Sequence, residues 1–373
     1  MSVLPDRIPV YFLHDDAVPL FFGSQAARFG GAEVQIFYLA QALAKNPLFQ
    51  VTFLTERDFP PQAGEILFRT MRCNNQKLQA NIPPEKSRAT KPRGVIIQRI
   101  VSLNTEKARE LARLMNLEFI YHVSSDEDVV KCSDVHDLNN DFQRYIFDAS
   151  VIVLQHRGQR EILRSYSDHR VQIVPNCIPF PNEASSYNGK HVLWAGRCAP
   201  IKRPWSFLEL ARLFPSEKFL MLLKEDSHYP SLYQAVRTVA ELVPNVRLVD
   251  APFFESQEYF DSAKMLVSTS SMEGFPNTFL QAAAGAIPIV SLSVDPRPMF
   301  GDCSSYLYAD GSMNTCAEQV RLLLKDSDLA KHKGRLGFNF AKEAYNVDGV
   351  AERYARLIIQ VAGTLGGETV YNE

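Results

Sequence analysis

The sequence has 373 residues, of which 46% are hydrophobic and 22% are charged, and its formal net charge is −2. This length exceeds one typical domain, and the composition predicts globular domains with sizeable cores rather than long disordered segments. The nearly balanced charge argues against a dedicated nucleic-acid binder. The six cysteines show no metal-binding spacing and no apolar run approaches about 18 residues, so we expect a cytoplasmic protein with reduced thiols and no membrane-spanning segment.

The first half of the chain alternates short apolar runs with segments of helical periodicity, which predicts a parallel sheet covered by helices on both faces. A long loop at 14–31 separates the first predicted strand from the first predicted helix. The strands are predicted at 8–13, 49–55, 94–100, 117–122, 150–154 and 171–175, and the helices at 32–45, 104–116, 138–147 and 157–165. Residues 65–99 carry an excess of Lys and Arg that could contact an anionic membrane surface, although such a run is more often a solvated loop.

A turn-rich stretch with two prolines at 176–190 is the best candidate for a linker. After it, strands are predicted at 191–195, 218–223, 246–249, 265–269 and 287–292, helices at 204–213, 231–242, 256–263 and 277–284, and a mostly helical end at 313–363. The sequence therefore predicts an α/β protein with two doubly wound Rossmann-like domains, at 1–182 and 183–345. The carboxyl ends of two such sheets would face each other across a cleft, where ligands would bind.

The stretch from Met272 to Pro288 carries the strongest indication of function. Glu273 falls in a strand-to-helix turn, the place where open parallel sheets bind ligands. The backbone N–H groups of Gly274, Phe275 and Asn277, around Pro276, can face an anion or a sugar hydroxyl near the start of the following helix. Gln281 follows Asn277 by one helical turn on the same face. Taken alone, a Glu before a helix is most often an ordinary cap or a solvated charge.

Two cations and a pair of glycines add to this stretch. Arg197 and Lys202 follow the first strand of the second half of the chain. The planar guanidinium of an arginine and the compact ammonium of a lysine together suit a diphosphate, although both side chains could be solvated loop cations. Gly30 and Gly31 precede the first helix, where they permit a close approach of backbone to ligand, although most such pairs are turns.

These motifs, in this order along nearly the whole chain, resemble those of glycosyltransferase family 4, a group of retaining nucleotide-sugar enzymes with the two-domain GT-B fold. The family has two glutamates eight positions apart that contact the donor, and here the pair is Glu273 and Gln281. The resemblance implies that Arg197 and Lys202 stabilise the leaving diphosphate, that Gly30 and Gly31 border it, and that residues 346–373 form a helix crossing back to the first domain.

The resemblance also implies roles beyond the phosphate site. A histidine often lies beside the reacting sugar in this family, which would be His122 here, although a lone histidine at a strand end is as often a packed residue. Asp126 and Asp128 could mimic a metal site, but their spacing is unspecific and the family needs no metal or other cofactor. The glycine-bearing turn usual after the second strand of the second domain is replaced by residues 224–226.

The function predicted from this resemblance is retaining transfer of a sugar from a nucleotide-diphosphate sugar to a hydroxyl of a glycan or lipid-linked acceptor, in polysaccharide or glycoconjugate biosynthesis. Two alternatives stay open. One is a catalytically weakened, nucleotide-sugar-binding partner subunit of the same fold, which Gln281 favours. The other is a nucleotide-sugar epimerase, which needs no acceptor.

Overall fold

The computed structural model describes residues 7–23, 29–74, 77–80, 94–100, 103–130, 145–163, 170–185 and 187–363. The chain divides into two compact units. Unit 1 contains the residues up to Cys177 together with those from Val347 onward, and unit 2 contains Ile178–Asn346. The sequence predicts that the first domain ends at residue 182, five residues later than Cys177. Residues after Cys177 belong to unit 2 because Ile178 bridges Asn346 and its N–H donates to the carbonyl of Tyr345.

Unit 1 is built on a mostly parallel sheet with the strand order β3-β4-β2-β1-β6-β7-β8-β9, in which β3 and β5 each pair antiparallel with β4. Its strands read as nearly continuous apolar runs, as expected for parallel strands buried on both faces. They are β1 Ile8–Phe12, β2 Phe49–Thr55, β3 Gln62–Ala63, β4 Ile66–Asn74, β5 Lys77–Ala80, β6 Val95–Arg99, β7 Glu118–His122, β8 Val151–Leu154 and β9 Val171–Ile173.

The helices of unit 1 cover both faces of this sheet, and most lie where the periodicity predicts them. They are α1 Gly31–Ala44, α2 Leu103–Met115, α3 Asp126–Val130 and α4 Arg157–Ile162. The loop predicted after the first strand contains a 3₁₀ helix at Asp15–Phe22. Most of the helix predicted at 138–147 lies outside the described residues, and its end forms a 3₁₀ turn at Tyr145–Asp148.

The described parts of the basic segment 65–99 include strands, one of which is the strand predicted at 94–100. Residues 66–74 form β4, which pairs in parallel with β2, and Val95–Arg99 forms a strand whose residues are all buried. Arg99 therefore contributes no charge to the surface. Residues 75–76 and 81–93 lie outside the described part of the chain, and contact with an anionic membrane through 65–99 stays a prediction.

Unit 2 has a parallel sheet with the order β12-β11-β10-β13-β14-β15. Its strands are β10 His191–Arg197, β11 Phe219–Lys224, β12 Val246–Val249, β13 Ala263–Ser268, β14 Ile289–Ser291 and β15 Tyr306–Tyr308. Its helices are α5 Pro204–Arg212, α6 Pro230–Glu241, α7 Gln257–Asp261, α8 Asn277–Ala284, α9 Arg297–Phe300, α10 Met313–Lys325 and α11 Ser327–Tyr345. The sequence did not predict β15 or α9, which are only three and four residues long.

The strand order of unit 2 fixes the position of its site. The chain leaves the central strand β10 for β11 on one side and later returns to β13 on the other side. Such a reversal opens a crevice at the carboxyl ends of the two strands, and open α/β sheets bind ligands there. The loops after β10 and β13 contain the residues that the sequence singled out.

The last described helix, α12 Val347–Val361, belongs to unit 1 rather than to unit 2. It packs against α1, and Val350, Tyr354 and Ile358 are buried in the same core as residues of β1, β2, β4 and β6. The apolar side of this amphipathic helix thus completes a core whose other members lie more than 170 residues earlier in the sequence. Among the described residues, no helix combines the length and apolarity needed to cross a lipid bilayer.

Candidate active site

In unit 2 the loop after β10 and the loop after β13 bring Lys202 and Glu273 into direct contact. The ammonium Nζ of Lys202 lies 2.5 Å from Oε1 of Glu273. The two side chains keep 23% and 15% of their surface exposed, so the pair is half-buried and still reachable from solvent. A cation and a carboxylate at the switch point of a parallel sheet form a suitable site for a polar, charged ligand.

Backbone hydrogen bonds hold these two loops together without the Lys202 side chain. The buried hydroxyl of Thr269 lies 2.8 Å from the carbonyl oxygen of Lys202 and accepts a hydrogen bond from the indole N–H of Trp194 at 2.9 Å. The N–H of Ser271 donates to the carbonyl of Ile201 at 2.8 Å. The loops are therefore rigidly docked, which is what a preorganised charge site requires.

Arg203, next to Lys202, adopts the left-handed backbone conformation with φ 48° and ψ 54°. A non-glycine residue in this region costs on the order of 1–3 kcal/mol, and such strain clusters at functional sites. The conformation turns the chain from the 3₁₀ turn Pro200–Lys202 into α5, which begins at Pro204. The Arg203 guanidinium donates to Oγ of Ser293 at 3.1 Å.

Arg197 is the last residue of β10 rather than the first residue beyond it, and its side chain is 52% exposed. Its Nη1 lies 3.4 Å from Oδ2 of Asp226, a carboxylate with only 5% of its surface exposed. Burial opposes ionisation of Asp226, but hydrogen bonds from His228 and the charge of Arg197 outweigh burial and hold the pKa of this carboxyl below its usual range. The unusual turn at 224–226 thus supplies a negative charge that holds Arg197.

The turn before α8 has the geometry that the sequence predicts for a hydroxyl or anion site. Pro276 is the N-cap and α8 begins at Asn277, with no side chain capping the helix. The Phe275 ring is buried and packs edge-on against Tyr345, 5.3 Å between ring centroids. The Phe275 side chain therefore packs in the interior of unit 2. Gly274 is half-buried.

Gln281 is fixed by the segment that follows β12. Its side-chain amide Nε2 donates to Oγ of Ser256 at 3.1 Å, and the side-chain amide of Gln257 donates to the backbone carbonyl of Gln281 at 3.1 Å. The amide at this position therefore has a structural partner, and a glutamate here could still accept a hydrogen bond from Ser256.

In unit 1 the paired glycines lie at the carboxyl end of β1. Gly30 is the N-cap of α1 and Gly31 is its first residue. The Glu33 carboxylate lies close to Gly30, where a Cβ would lie 2.6 Å from Oε2 of Glu33, a clash that this flexible side chain could relieve by moving. Oε1 of Glu33 lies 3.9 Å from Nε2 of the buried His14.

His122 ends β7 at the carboxyl edge of the unit 1 sheet, as predicted, and is fully buried. Its neighbours there include Arg99 at the end of β6 and Tyr354 from α12, whose ring lies 5.6 Å from the imidazole between centroids. Sequence reasoning assigned no role to His14, Arg99 or Tyr354. The charged residue closing the apolar run of β6 was the available signal for Arg99.

Asp126 and Asp128 begin the short helix α3, where the sequence predicted a loop. Oδ2 of Asp128 accepts hydrogen bonds from Ser124 and from the Tyr121 hydroxyl, and Asp126 accepts one from Gln159 at 2.9 Å. The two carboxylates thus have separate protein partners. No group of three potential metal-ligating side chains occurs in the described ranges.

The structure therefore brings Arg197, Lys202, Glu273, Asn277 and Gln281 to one edge of the unit 2 sheet, and Gly30, Gly31 and His122 to the corresponding edge of the unit 1 sheet. Two Rossmann-like units of this kind make up the GT-B fold of glycosyltransferases, and the chain has this fold. Residues 189–326, which contain the unit 2 site, match the family model described as Glycosyl transferases group 1.

Individual solved structures support this fold over nearly the full chain. Sucrose-phosphate synthase from Thermosynechococcus elongatus superposes with a TM-score of 0.73 at 16% identity, covering 96% of this chain and 100% of that chain. Anabaena HepE, in a structure with UDP and glucose, superposes with a TM-score of 0.67 at 12% identity, covering 93% and 98%.

A curated relative is the poly(ribitol-phosphate) alpha-N-acetylglucosaminyltransferase of Staphylococcus aureus (strain COL), 20% identical over 220 residues. The match covers 56% of this chain and 43% of that enzyme, so the chain spans less than half of this relative's length.

Proposed function

We propose that this protein is a retaining glycosyltransferase of family 4 that moves a sugar from a nucleoside-diphosphate sugar to a hydroxyl acceptor. The observation that carries the proposal is the placement of Arg197 and Lys202 at the carboxyl end of β10, beside Glu273 and the start of α8. HepE has been solved with UDP and glucose and superposes over 93% of the chain, which supports a nucleoside-diphosphate donor.

In the proposed reaction the bond between the anomeric carbon and the β-phosphate oxygen breaks, and its electron pair stays on the phosphate. The acceptor oxygen forms its bond to the same face of the anomeric carbon, and its proton passes to the departing phosphate oxygen. The products are a glycoside of unchanged configuration and a nucleoside diphosphate. Negative charge grows on the phosphate as the bond breaks, and fixed cations stabilise charge that develops in the transition state.

Arg197 and Lys202 are the residues proposed to stabilise the negative charge that grows on the leaving phosphate. Both are paired with carboxylates in the absence of donor, at 3.4 Å to Asp226 and 2.5 Å to Glu273. The diphosphate would take over these two cations, and Glu273 would then turn to the donor sugar together with the backbone of residues 274–277. Gln281 would reach the ribose.

The proposed chemistry uses side-chain cations where other enzymes use a divalent ion, so no metal is required. The acceptor is proposed to be a glycan or lipid-linked sugar, and the biological role polysaccharide or glycoconjugate synthesis. His122 is proposed to contact the transferred sugar from unit 1.

A panel of nucleotide sugars differing in base and sugar tests the donor assignment through thermal unfolding. A ligand at 100 times its Kd stabilises the folded state by about 2.7 kcal/mol, or roughly 5–10 °C for a unit of this size. The stabilising donor is then incubated with and without glycan and lipid-linked acceptors.

The three candidate functions, glycosyltransferase, non-catalytic partner subunit and epimerase, predict different outcomes of that incubation. Acceptor-dependent release of nucleoside diphosphate, with a product of the donor's anomeric configuration by NMR coupling constants, is the expected result. Donor binding without turnover would indicate a non-catalytic partner subunit. Conversion of the donor without any acceptor would indicate an epimerase, and absence of binding to every donor would refute the proposal.

A further inference from the structure

Four polar side chains meet at the carboxyl edge of the unit 1 sheet without satisfying all of their hydrogen-bonding atoms. Arg99 and His122 are each 2% exposed, His14 is 7% exposed and Tyr354 is fully buried. Within the described ranges, no hydrogen-bond partner is found for Nε of Arg99, Nδ1 of His14, the Tyr354 hydroxyl or either ring nitrogen of His122. Nearly all buried polar groups in proteins are paired with protein or ordered water, so the atoms of this cluster can accept a water molecule or a ligand group as partner.

Arg99 is the unusual member, because it is a buried cation that has no counter-charge among the described residues. Its Nη2 donates to Oδ1 of Asn176 at 2.9 Å and lies 3.4 Å from the carbonyl of Val123. No carboxylate of the described residues lies within ion-pair distance of this guanidinium. Burying an unpaired charge costs several kcal/mol, and an apolar side chain of similar volume is often at least as stabilising, so packing alone does not account for Arg99.

His122 experiences this charge directly. Arg99 and His122 are register partners at the ends of the paired strands β6 and β7. Burial and then the positive charge of Arg99 hold the pKa of the imidazole well below its usual range, and a backbone interaction with Val174 acts in the opposite direction. The Tyr354 ring packs beside the imidazole at 5.6 Å between centroids and an interplanar angle of 32°. Burial raises the pKa of Tyr354, so its phenol offers no negative charge to either neighbour.

The other titratable groups around Arg99 do not neutralise it. They are Cys177, whose pKa burial raises to about 12, the Tyr121 phenol, and Asp128. Asp128 exerts the weakest of these electrostatic effects on Arg99, and its Oδ2 accepts hydrogen bonds from Tyr121 and Ser124. The guanidinium therefore acts on His122 as an uncompensated cation.

We propose that Arg99 is a positioning residue for the proposed sugar transfer, and that its guanidinium, anchored on Asn176, keeps His122 in place as a neutral imidazole. This inference rests on the proposed function. A neutral imidazole offers a sugar hydroxyl one donor and one acceptor, whereas an imidazolium offers only donors. Glycosyl transfer passes through a sugar with oxocarbenium character, and a second cation on His122 would oppose the positive charge that forms there.

The first test is an NMR titration of the ligand-free full-length protein, labelled at its eight histidines. The His122 signal is assigned by its absence in His122→Gln. In the wild type we expect no inflection of this signal between about pH 5 and 8, the range in which an ordinary histidine titrates. Arg99→Gln should introduce an inflection in that range. The matched control is Arg109→Gln, which removes an arginine on α2 that pairs with Asp148 instead.

A second variant protects the test against misfolding of Arg99→Gln. Asn176→Asp is isosteric and places a carboxylate against the guanidinium, so it offsets the charge without removing Arg99. It should move the His122 titration in the same direction as Arg99→Gln. A wild-type inflection near that of an ordinary histidine, or no change in both variants, would overturn the proposal.

The second test is the pH profile of kcat with the identified donor. Arg99→Gln should gain an acid limb, with kcat falling about tenfold per pH unit below the new His122 transition, while the wild type and Arg109→Gln lack it. The KM for donor should change less than kcat. A parallel loss at all pH values would indicate a structural role for Arg99 and overturn the positioning claim. If the titration is as expected but the wild type turns over no donor, the proposed function is what fails.

Discussion

Replacement of Lys202 by alanine tests whether the unit 2 site stabilises a leaving phosphate. The matched control is Lys224→Ala, because Lys224 ends the neighbouring strand β11 in register with Arg197 and also pairs with a carboxylate, Asp250, at 2.6 Å. Both variants remove one lysine and one ion pair from the same edge of the sheet. Only Lys202 lies in the loop at the switch point.

The expected effect on catalysis follows from the role of the charge. Loss of one preorganised donor to a developing anion costs about 2.7–4 kcal/mol of barrier, or about 10²–10³ in kcat. Lys202→Ala should show a loss of this size at saturating donor, and Lys224→Ala should leave kcat nearly unchanged, since Lys224 is not proposed to contact the donor.

The expected effect on stability is small enough to separate from catalysis. Exposed ion pairs contribute about 0.2–1 kcal/mol and breaking a buried pair costs about 3–5 kcal/mol, so the half-buried Lys202–Glu273 pair should contribute about 1–3 kcal/mol. The loop itself stays docked through Thr269 and Ser271, whose contacts are with backbone carbonyls. Chemical denaturation and release of nucleoside diphosphate measure the two effects. Full kcat in Lys202→Ala, or equal losses in both variants, would refute the assignment.

Three further outcomes are expected. Glu273→Gln should reduce turnover more than Gln281→Ala, because Glu273 is proposed to contact the reacting sugar and Gln281 the ribose. The reverse order of losses in steady-state kinetics would contradict these roles. Gln281→Glu should bind donor at least as well as the wild type. Activity should persist in excess EDTA, because side chains supply the cations, and rescue by added divalent metal would show otherwise. The pKa of buried His122 is lowered on folding, so the unfolded state binds the proton more readily and the free energy of unfolding should fall by at most about 1.4 kcal/mol per pH unit as pH drops below about 6.5. Chemical denaturation of His122→Asn should show a shallower dependence on pH than that of the wild type, and an unchanged dependence would contradict the burial argument.

The sequence was sufficient to predict the elements that carry the proposed unit 2 site, because these elements are local. The helix predicted at 277–284 has those bounds in the structure, since Pro276 fits a helix start and Gly285 a helix end. Loops after neighbouring parallel strands meet at one edge, so the expected proximity of Lys202 and Glu273 required only the order of the elements.

The features that the sequence did not reveal depend on distant partners. Burial of Arg99 depends on Asn176, which is 77 residues away in the chain. In the strand β4 the exposed cation Arg69 lies between the buried residues Phe68 and Met71, and this cation concealed the strand in the sequence. The contact of the Asp226 carboxylate with Arg197 was not predicted, because it arises from the pairing of β10 with β11.

The return of α12 to unit 1 has a consequence for protein synthesis. A ribosome must translate all of unit 2 before it delivers the helix that fills the unit 1 core, so the nascent first unit presents an uncovered apolar face beside α1. Domains usually fold in the order in which they emerge, but here the second unit is the one that can complete its fold first. A chain cut anywhere between 178 and 346 would leave Tyr354 and Ile358 missing from unit 1, so truncated products should be recognised and degraded rather than accumulate as half-active enzymes.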